Sequence, residues 1–232
     1  MKVVVITTIC NEEKNIGRVL ARMPPDGDVI AIDDGSVDNS AQICRQYGAR
    51  VVRHPFNLGQ GAAFITGLRT CLMHDYDVIV HVDGDGQHDP QDIPIFLDKL
   101  EETGADIVVG SRILGSNYEG APFFRRTFLP HFTWVINRIT GYDMTDPMCG
   151  FRVFRADSLR RVQYVFDQID EPQYMAAEMF VRFAREGLTV AEVPIHLAAR
   201  ESGVSRKGRD SLEDLVRYGG GVTKAIIRAL WS

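Results

Sequence analysis

Cysteine is scarce in this sequence, and its four cysteines stand far apart: Cys10, Cys44, Cys71 and Cys149. Because no Cys-x-x-Cys pair is present, the sequence predicts neither a zinc knuckle nor a disulfide framework, and it fits a reducing cytosol. No apolar run approaches the ~20 residues that a membrane-spanning helix needs. The apolar run at residues 3–6 ends at Thr7 and Thr8, which is typical of a buried first strand rather than a signal peptide. Any membrane contact is therefore predicted to be peripheral.

Lysine is almost missing from the second half of the chain, where only Lys207 and Lys224 occur. Residues 111–232 hold 17 basic and 14 acidic residues, so most of their basic charge is arginine, which favours bidentate contacts with anions. Residues 1–110 are acidic, with 9 basic and 17 acidic residues. Since the net charge of the whole chain is -5, we do not expect it to bind nucleic acid.

The composition of the 232 residues is otherwise that of an ordinary folded domain. Apolar residues make up 45% and charged residues 25%, which excludes disorder, collagen and coiled coil as descriptions of the whole chain. Short runs rich in Val and Ile alternate with longer helical patterns, and this alternation predicts an α/β domain with a mostly parallel sheet. Strands are predicted at residues 3–7, 29–32, 50–53, 78–82 and 107–109, and helices at residues 11–22, 39–47, 59–74 and 91–103.

After residue 110 the regular alternation ends. The pattern there predicts a loop at residues 115–122, helices at residues 128–139, 175–186 and 212–230, and a short extended segment at residues 189–195. Three consecutive glycines, at residues 219–221, weaken the last helix, and we expect a hinge there before a short anchor.

Two clusters of carboxylates follow directly after predicted strands. One is Asp33-Asp34-Gly35-Ser36, and the other is Asp83-Gly84-Asp85-Gly86-Gln87. Because the carboxyl ends of parallel strands form the ligand-binding edge of an open sheet, we expect both clusters to face one crevice. Turn and helix-cap chemistry explains the first cluster equally well. The second holds more Asp and Gly than a turn needs, and the oxygens of Asp83, Asp85 and Gln87 suit Mg²⁺ or Mn²⁺, so it predicts a metal site.

The segment Gly59-Gln60-Gly61 opens a predicted helix. Its glycines allow backbone N–H groups to approach a ligand, or else allow the helix to pack closely on the sheet. The segment lacks the third glycine of a dinucleotide fingerprint, follows the third strand rather than the first, and is not followed by Gly-Lys-Ser or Gly-Lys-Thr. Dinucleotide-dependent enzymes and P-loop ATPases are therefore disfavoured.

Six motifs follow one another along the chain. They are Thr8-x-x-Asn11-Glu12, Asp33-Asp34-Gly35-Ser36, Gly59-x-Gly61, Asp83-x-Asp85-x-Gln87, Gly110-Ser111-Arg112 and Asp146-x-x-Cys149-Gly150-Phe151-Arg152. With these motifs the chain resembles the family 2 inverting glycosyltransferases of GT-A fold, and most of all the group of dolichol-phosphate mannose synthases and polyprenyl-phosphate glycosyltransferases. The resemblance runs from residue 3 to about residue 207. It implies a single domain with a Rossmann-like, mostly parallel sheet and helices on both faces, in which residues 1–110 bind a nucleotide sugar and residues 111–232 an acceptor.

The resemblance also implies roles for particular residues on the donor side. Mg²⁺ or Mn²⁺ would be held by Asp83, Asp85 and Gln87, and Asp85 would be a catalytic residue. The metal would neutralise the charge that develops on the departing nucleoside diphosphate. The residues implied to bind the nucleotide sugar are Thr8, Asn11, Glu12, Asp33, Gly59, Asp83 and Gly84.

On the acceptor side the resemblance implies a polyprenyl phosphate, whose oxygen is already anionic and needs positioning cations rather than a strong base. The residues that it assigns to phosphate binding are Arg112, Arg125, Arg126, Arg200, Ser205 and Arg206. Two positions depart from the group. Arg206, next to Lys207, stands where a lysine is usual, and Leu129 and Pro130 stand where a small polar residue is usual. For each arginine taken singly, a solvated surface position is an equally good interpretation.

We assign two further acids, Asp146 and Glu178, to the catalytic set. Their expected role is to position the acceptor or to hold arginines. Glu178 lies on an otherwise apolar predicted helix, and pairing with Arg152 or Arg182 is the alternative interpretation. If the acceptor were a sugar or protein hydroxyl instead of a phosphate, one of these two acids would have to be the base.

An aromatic and cationic stretch at residues 123–138 suits a membrane interface, and a core helix explains it equally well. The C-terminal residues 224–231 favour the interface. Together these features predict a transferase, peripheral on the cytoplasmic inner face of the membrane, that moves a mannose or glucose from a GDP- or UDP-sugar to a polyprenyl phosphate. The alternative from another class is a non-catalytic sugar-nucleotide-binding or membrane-adaptor subunit.

Overall fold

Strands and helices alternate along the first half of the chain, as its apolar periodicity predicts. The computed structural model describes residues 1–25, 27–115, 123–169, 175–198 and 212–231, with the backbone alone for residues 123–128 and 212–218. The strands are β1 (Val3–Ile9), β2 (Asp28–Asp33), β3 (Arg50–Arg53), β4 (Val78–Asp83), β5 (Ile107–Ser111), β6 (Arg152–Arg155) and β7 (Val190–Pro194). The helices are α1 (Ile16–Ala21), α2 (Ser40–Gln46), α3 (Gln60–Leu72), α4 (Ile93–Thr103), α5 (Phe123–Thr140), α6 (Ala156–Arg161), α7 (Met175–Arg185) and α8 (Leu212–Trp231).

The strands form one 7-stranded sheet in the order β3-β2-β1-β4-β6-β5-β7. Only β6 runs antiparallel to its neighbours among the described strands, so the predicted mostly parallel sheet is confirmed. The strand order reverses at β1, because β2 lies on one side of it and β4 on the other, and a crevice at the carboxyl ends of these strands follows from that reversal. The register places Thr8 beside Asp83 and Ile9 beside Asp33, which brings the two carboxylate clusters to one edge.

Helices pack on both faces of the sheet, because alternate side chains of each strand point in opposite directions. On β2, Ile30 and Ile32 belong to the large core that contains Phe64 of α3, whereas Ala31 belongs to a smaller core with Ile16 of α1 and Cys44 of α2. The contact on the α3 face is close. A Cβ built on Gly67 would lie 2.6 Å from Ile6 Cγ2.

Several elements of the structure differ from the sequence-based prediction, among them α6, which was not predicted, and α5, which begins at Phe123 rather than at residue 128. Helix α1 begins at Ile16 rather than at residue 11, because Asn11 adopts a positive φ of 56° and the chain turns before the helix starts. Strand β6 was not predicted, since its four residues have arginine at both ends and resemble a loop motif more than a buried strand. It pairs between β4 and β5, and so it carries the Cys149-Gly150-Phe151-Arg152 motif into the middle of the sheet.

Helices α5 and α8 follow the predicted helical stretches of the second half. The hinge expected at residues 219–221 is wrong, because α8 continues through these glycines to Trp231. Helix α5 has one side in the core and one side in solvent, since Ile136 is buried while Trp134 is 67% exposed. The predicted loop is described only at residue 115. No helix in the described part of the chain is both long and apolar enough to cross a membrane.

Candidate active site

Asp83 lies at the end of β4, where the strand order reverses, and several donors surround its carboxylate. The amide Nε2 of Gln60, the first residue of α3, donates to Asp83 Oδ1 at 2.7 Å. The hydroxyl of Thr8 donates to the same oxygen at 3.4 Å. The backbone N–H of Gly84 donates to the carbonyl oxygen of Thr8 at 3.1 Å, which holds the start of the following turn against β1. Three predicted site residues, Thr8, Asp83 and Gly84, are therefore brought together.

Two histidines lie beside Asp83. His81 Nδ1 is 2.6 Å from the carbonyl oxygen of Gly150 and must donate to it, because a carbonyl only accepts. His88 is buried with its Nδ1 3.6 Å from Asp83 Oδ2, and burial lowers the pKa of His88 to about 4, so its ring is neutral at pH 7. Gly150 packs directly on Asp83. A Cβ at Gly150 would lie 2.4 Å from Asp83 Oδ2, so any larger residue there would displace the Asp83 carboxylate.

The turn after β4 carries the other residues of the predicted metal site. The backbone N–H of Gln87 donates to Asp85 Oδ1 at 3.0 Å, and the carbonyl oxygen of Gln87 accepts from the N–H of Ala198 at 2.9 Å. The described residues contain no group of three His, Cys, Asp or Glu side chains that could hold a metal ion. The predicted set has two carboxylates and one amide, all hard oxygen donors on one short turn, and this chemistry fits Mg²⁺ or Mn²⁺.

The two aspartates of the first carboxylate cluster, Asp33 and Asp34, make different contacts. Asp34 accepts from the backbone N–H groups of Leu58 and Gly59 at 2.8 and 2.9 Å, and it lies 2.8 Å from His54 Nδ1. Asp34 therefore has the turn chemistry that was the alternative interpretation. It fixes Gly59 at a φ of 98°, which glycine tolerates, and it engages the N–H of Gly59 that we expected to face a ligand.

Asp33 and the loop after β1 form the other side of the crevice. Asp33 is fully buried, accepts from the N–H of Ser36 at 2.9 Å and has its Oδ2 3.1 Å from Arg53 Nε. The N–H of Asn11 donates to Ser36 Oγ at 2.9 Å, and the N–H of Glu12 donates to the hydroxyl of Ser40 at 2.7 Å. These bonds tie the loop after β1 to the loop after β2, so Asn11, Glu12 and Asp33 line one edge with Thr8.

At the end of β5, Arg112 and Asp146 form a bidentate ion pair. Arg112 Nε is 2.6 Å from Asp146 Oδ2, Arg112 Nη2 is 2.7 Å from Oδ1, and the Arg112 backbone N–H donates to Oδ2 at 3.2 Å. Asp146 is fully buried. The carboxylate therefore fixes the plane of the guanidinium group, and both of its oxygens are engaged by Arg112.

Glu178 of α7 is also buried and also holds an arginine. Its Oε1 accepts from Arg182 Nε at 3.0 Å and from Arg182 Nη2 at 2.8 Å. Arg182 in turn donates to the side chain of Gln168 at 2.8 Å and to its carbonyl oxygen at 3.1 Å. The proposed pairing of Glu178 with Arg182 is therefore confirmed. Arg152 lies over the ring of Phe180, with its guanidinium carbon 5.3 Å from the ring centroid.

The remaining predicted phosphate-binding residues lie outside what the structure describes. They are the side chains of Arg125 and Arg126 on α5, and residues Arg200, Ser205 and Arg206. Sequence reasoning missed two contributors to the site. Gln60 lay inside the Gly59-x-Gly61 motif that drew attention for its glycines alone, and His81 lay inside an apolar strand. An isolated polar residue next to a recognised motif is the signal that could have found both.

Comparison with known proteins agrees with this geometry. A sequence profile of the family described as Glycosyl transferase family 2 matches residues 4–163. The undecaprenyl-phosphate mannosyltransferase of Micrococcus luteus is 32% identical over 216 residues, which cover 89% of this chain and 87% of that protein. The polyprenol monophosphomannose synthase of Mycolicibacterium smegmatis is 27% identical over 225 residues, which cover 92% of this chain and 83% of that protein.

A solved structure with a similar fold is the glucosyl-3-phosphoglycerate synthase from Mycobacterium tuberculosis in complex with Mn²⁺, uridine diphosphate and glucosyl-3-phosphoglycerate. The TM-score is 0.71 at 18% sequence identity, and the match covers 98% of this chain and 79% of that chain. At this identity the likeness concerns the fold, and the expected GT-A fold is confirmed.

Proposed function

Because the chain belongs to glycosyl transferase family 2 and is a glycosyltransferase of GT-A fold, we propose that it moves a hexose, mannose or glucose, from a GDP- or UDP-sugar to a polyprenyl phosphate. The observation that carries this proposal is the position of Asp83, at the end of β4 and beside Thr8 of β1. Ligands of open α/β sheets bind at such a reversal of strand order. The names of the two relatives, which refer to undecaprenyl phosphate and to polyprenol monophosphomannose, support the lipid phosphate as acceptor.

On the donor side, residues of the first half would bind the nucleotide sugar. A Mg²⁺ or Mn²⁺ ion at Asp83, Asp85 and Gln87 would supply positive charge opposite the diphosphate leaving group. Gln60 and Thr8 both donate to Asp83 Oδ1, so they orient this carboxylate before a ligand arrives. The residues that we assign to the nucleotide sugar are Thr8, Asn11, Glu12, Asp33, Asp83 and Gly84, whereas Gly59 would act through the turn that Asp34 holds before α3.

On the acceptor side, the phosphate oxygen is already anionic, so no side chain has to remove a proton from it. The site has to hold that oxygen near the anomeric carbon and offset its charge, and Arg112 suits this task because Asp146 fixes its guanidinium plane. We assign phosphate binding to Arg112, and also to Arg125, Arg126, Arg200, Ser205 and Arg206. We assign Asp146 and Glu178 to the positioning of their arginines.

A hydroxyl acceptor would require a carboxylate that can take a proton. Both oxygens of Asp146 accept from Arg112, and Glu178 accepts twice from Arg182, so these contacts favour the phosphate over the hydroxyl. A base mechanism would also make the rate fall as the carboxylate is protonated, whereas the phosphate mechanism requires no proton transfer to a carboxylate.

We further propose peripheral contact with the inner, cytoplasmic face of the membrane, since the acceptor is a lipid. Three exposed apolar side chains support this contact, Trp134 on α5 and Ile227 and Trp231 on α8. Lys224 and Arg228 on α8 add positive charge, which anionic lipid head groups attract.

The test of the proposed function is a transfer assay. The purified chain is incubated with polyprenyl phosphate and with GDP-mannose, UDP-glucose or UDP-N-acetylglucosamine, each with Mg²⁺, Mn²⁺ or EDTA, and the lipid product is identified by mass spectrometry. We expect one donor to give a polyprenyl-phosphate hexose of inverted configuration, only in the presence of metal. Donor binding without transfer to any lipid phosphate would overturn the proposal and favour a non-catalytic subunit. Transfer to a sugar hydroxyl in its place would favour the hydroxyl-acceptor enzyme.

A further inference from the structure

Glu192 of β7 accepts three hydrogen bonds from one short segment in the connection between α5 and β6. Its Oε2 accepts from the backbone N–H of Thr145 at 2.7 Å and from the Thr145 hydroxyl at 2.8 Å. Its Oε1 accepts from the backbone N–H of Asp146 at 2.9 Å. Both oxygens of Glu192 are thus used to hold Thr145 and Asp146.

The segment that Glu192 holds is the one that orients Arg112. Asp146 accepts from Arg112 through both oxygens, and it also accepts from the Arg112 backbone N–H. The Thr145 hydroxyl lies 2.5 Å from Ser111 Oγ, immediately before Arg112. A continuous set of contacts therefore runs from Glu192 through Thr145 and Asp146 to the guanidinium group.

From this arrangement we infer that Glu192 is a positioning residue for Arg112, and so for the phosphate group that Arg112 would bind; the inference rests on the proposed function. A carboxylate is the side chain that this position needs, since all three partners donate to it. Glutamine offers one accepting oxygen and an NH₂ group that would face an N–H or the Thr145 hydroxyl. The backbone of Asp146 would then shift, and small displacements of a positioning group are costly to catalysis.

The experiment is a double-mutant cycle that joins Glu192→Gln to Arg112→Ala, with kcat/KM for polyprenyl phosphate as the readout. We expect Glu192→Gln to lower this value by about tenfold, with the donor KM changed less than about twofold. In the Arg112→Ala background the same substitution should cause no further loss, because it acts through the absent guanidinium group. A merely structural role would instead lower thermal stability equally in both backgrounds and give additive losses.

Two further variants keep the experiment decisive. Glu101→Gln, at an exposed position of α4, removes the same charge and should leave kcat/KM unchanged. Glu192→Asp keeps the carboxylate but shortens it, and it replaces Glu192→Gln in the cycle if that protein does not fold. Additive losses, or a full kcat/KM in both Glu192 variants, would overturn the inference.

A second readout separates this inference from the proposed function. The four proteins of the cycle are titrated calorimetrically with inorganic phosphate, a probe for the acceptor's phosphate group that requires no turnover. We expect Arg112→Ala and Glu192→Gln to weaken binding to a similar extent, and the double variant to bind no more weakly than Arg112→Ala. If the wild-type chain transfers no hexose but this binding cycle is non-additive, the proposed acceptor fails and the role of Glu192 stands. If the binding losses are additive, the role of Glu192 fails whatever the transfer assay gives.

Discussion

Two carboxylates of the site, Asp83 and Asp146, receive different kinds of donor. The hydrogen bonds described for Asp83 come from the amide of Gln60 and the hydroxyl of Thr8, and the neighbouring His88 is neutral at pH 7 because burial lowers its pKa to about 4. Asp146 is bound instead by the guanidinium group of Arg112 through both oxygens.

This difference separates two ways of handling charge in one crevice. Neutral donors orient a carboxylate without cancelling its charge, so Thr8 and Gln60 can hold Asp83 in place and still leave it anionic toward a divalent cation. A bidentate arginine orients a carboxylate and also offsets its charge, so Asp146 serves to hold a cation that belongs to the chain. On the donor side, a bound metal ion would therefore supply the positive charge. On the acceptor side, Arg112 of the chain would supply it.

The largest expected effect is on the donor side. Replacing Asp85 by Asn keeps the shape of the side chain but removes one anionic ligand, and we expect hexose transfer to fall by about 10³-fold. The fold should be retained, as checked by circular dichroism. Asp98→Asn, at an exposed position of α4, is the matched control and should be fully active. An Asp85→Asn protein that kept full activity in EDTA would contradict the metal mechanism.

A smaller loss of activity, with a loss of stability, is expected on the acceptor side. Asp146→Asn leaves the Arg112 guanidinium next to an amide, and removing one partner of a buried ion pair lowers the free energy of unfolding by about 3 kcal/mol. We expect hexose transfer to fall by about 10²-fold because the guanidinium loses its fixed plane. Urea unfolding and steady-state kinetics measure the two effects. Asp157→Asn is the control, since that carboxylate is 93% exposed, and equal losses in both variants would refute the positioning role of Asp146.

The hydrogen bond from Gln60 to Asp83 can be removed by a single substitution. Gln60→Met keeps the length of the side chain but removes the N–H that donates to Asp83 Oδ1, and loss of such an orienting partner typically weakens metal binding about tenfold. Calorimetric titration with Mn²⁺ measures this change. Thermal stability should be unaltered because Gln60 is exposed, and Gln46→Met on α2 provides an exposed control. Unchanged Mn²⁺ affinity in Gln60→Met would show that this contact is incidental.

The smallest effect concerns a carboxylate outside the crevice, Asp106 before β5. Burial raises its pKa, but hydrogen bonds from Ser158 and Thr189 outweigh burial and hold the pKa below the ordinary value of 3.8. Its stabilising contribution is therefore present above that value and is lost as the pH falls through the lower pKa of the folded state. We expect Asp106→Asn to cost about 1 kcal/mol of unfolding free energy at neutral pH and less at about pH 3, with hexose transfer unchanged. A constant difference at both pH values would contradict this assignment.

Much of the fold follows from the sequence because parallel strands are buried on both faces and so consist of short apolar runs. Strand β3 has the predicted bounds, and β4 extends one residue beyond them, to Asp83. Strand β6 was missed because arginine stands at both of its ends, although the residues between them are buried. The continuity of α8 through residues 219–221 was missed because packing against other helices can outweigh the low helix propensity of glycine.

For the site, the sequence predicted that the two carboxylate clusters reach one edge of the sheet, but not what each residue contacts. Asp83 and Asp33 follow strands, and strand ends meet at one edge, so their convergence was predictable. The partner of Asp146 depends on a register between β5 and a loop 34 residues later, which no local pattern encodes. The three bonds to Glu192 depend likewise on the pairing of β5 with β7.

The most direct test of the central claim is the stoichiometry of Mn²⁺ binding in three proteins, measured by electron paramagnetic resonance of the free ion. The account predicts one bound Mn²⁺ in the wild-type chain and in Asp146→Asn, and none at the same concentrations in Asp83→Asn. Wild-type Mn²⁺ binding in Asp83→Asn, or its loss in a folded Asp146→Asn protein, would contradict the division between a carboxylate that binds a metal and a carboxylate that holds an arginine.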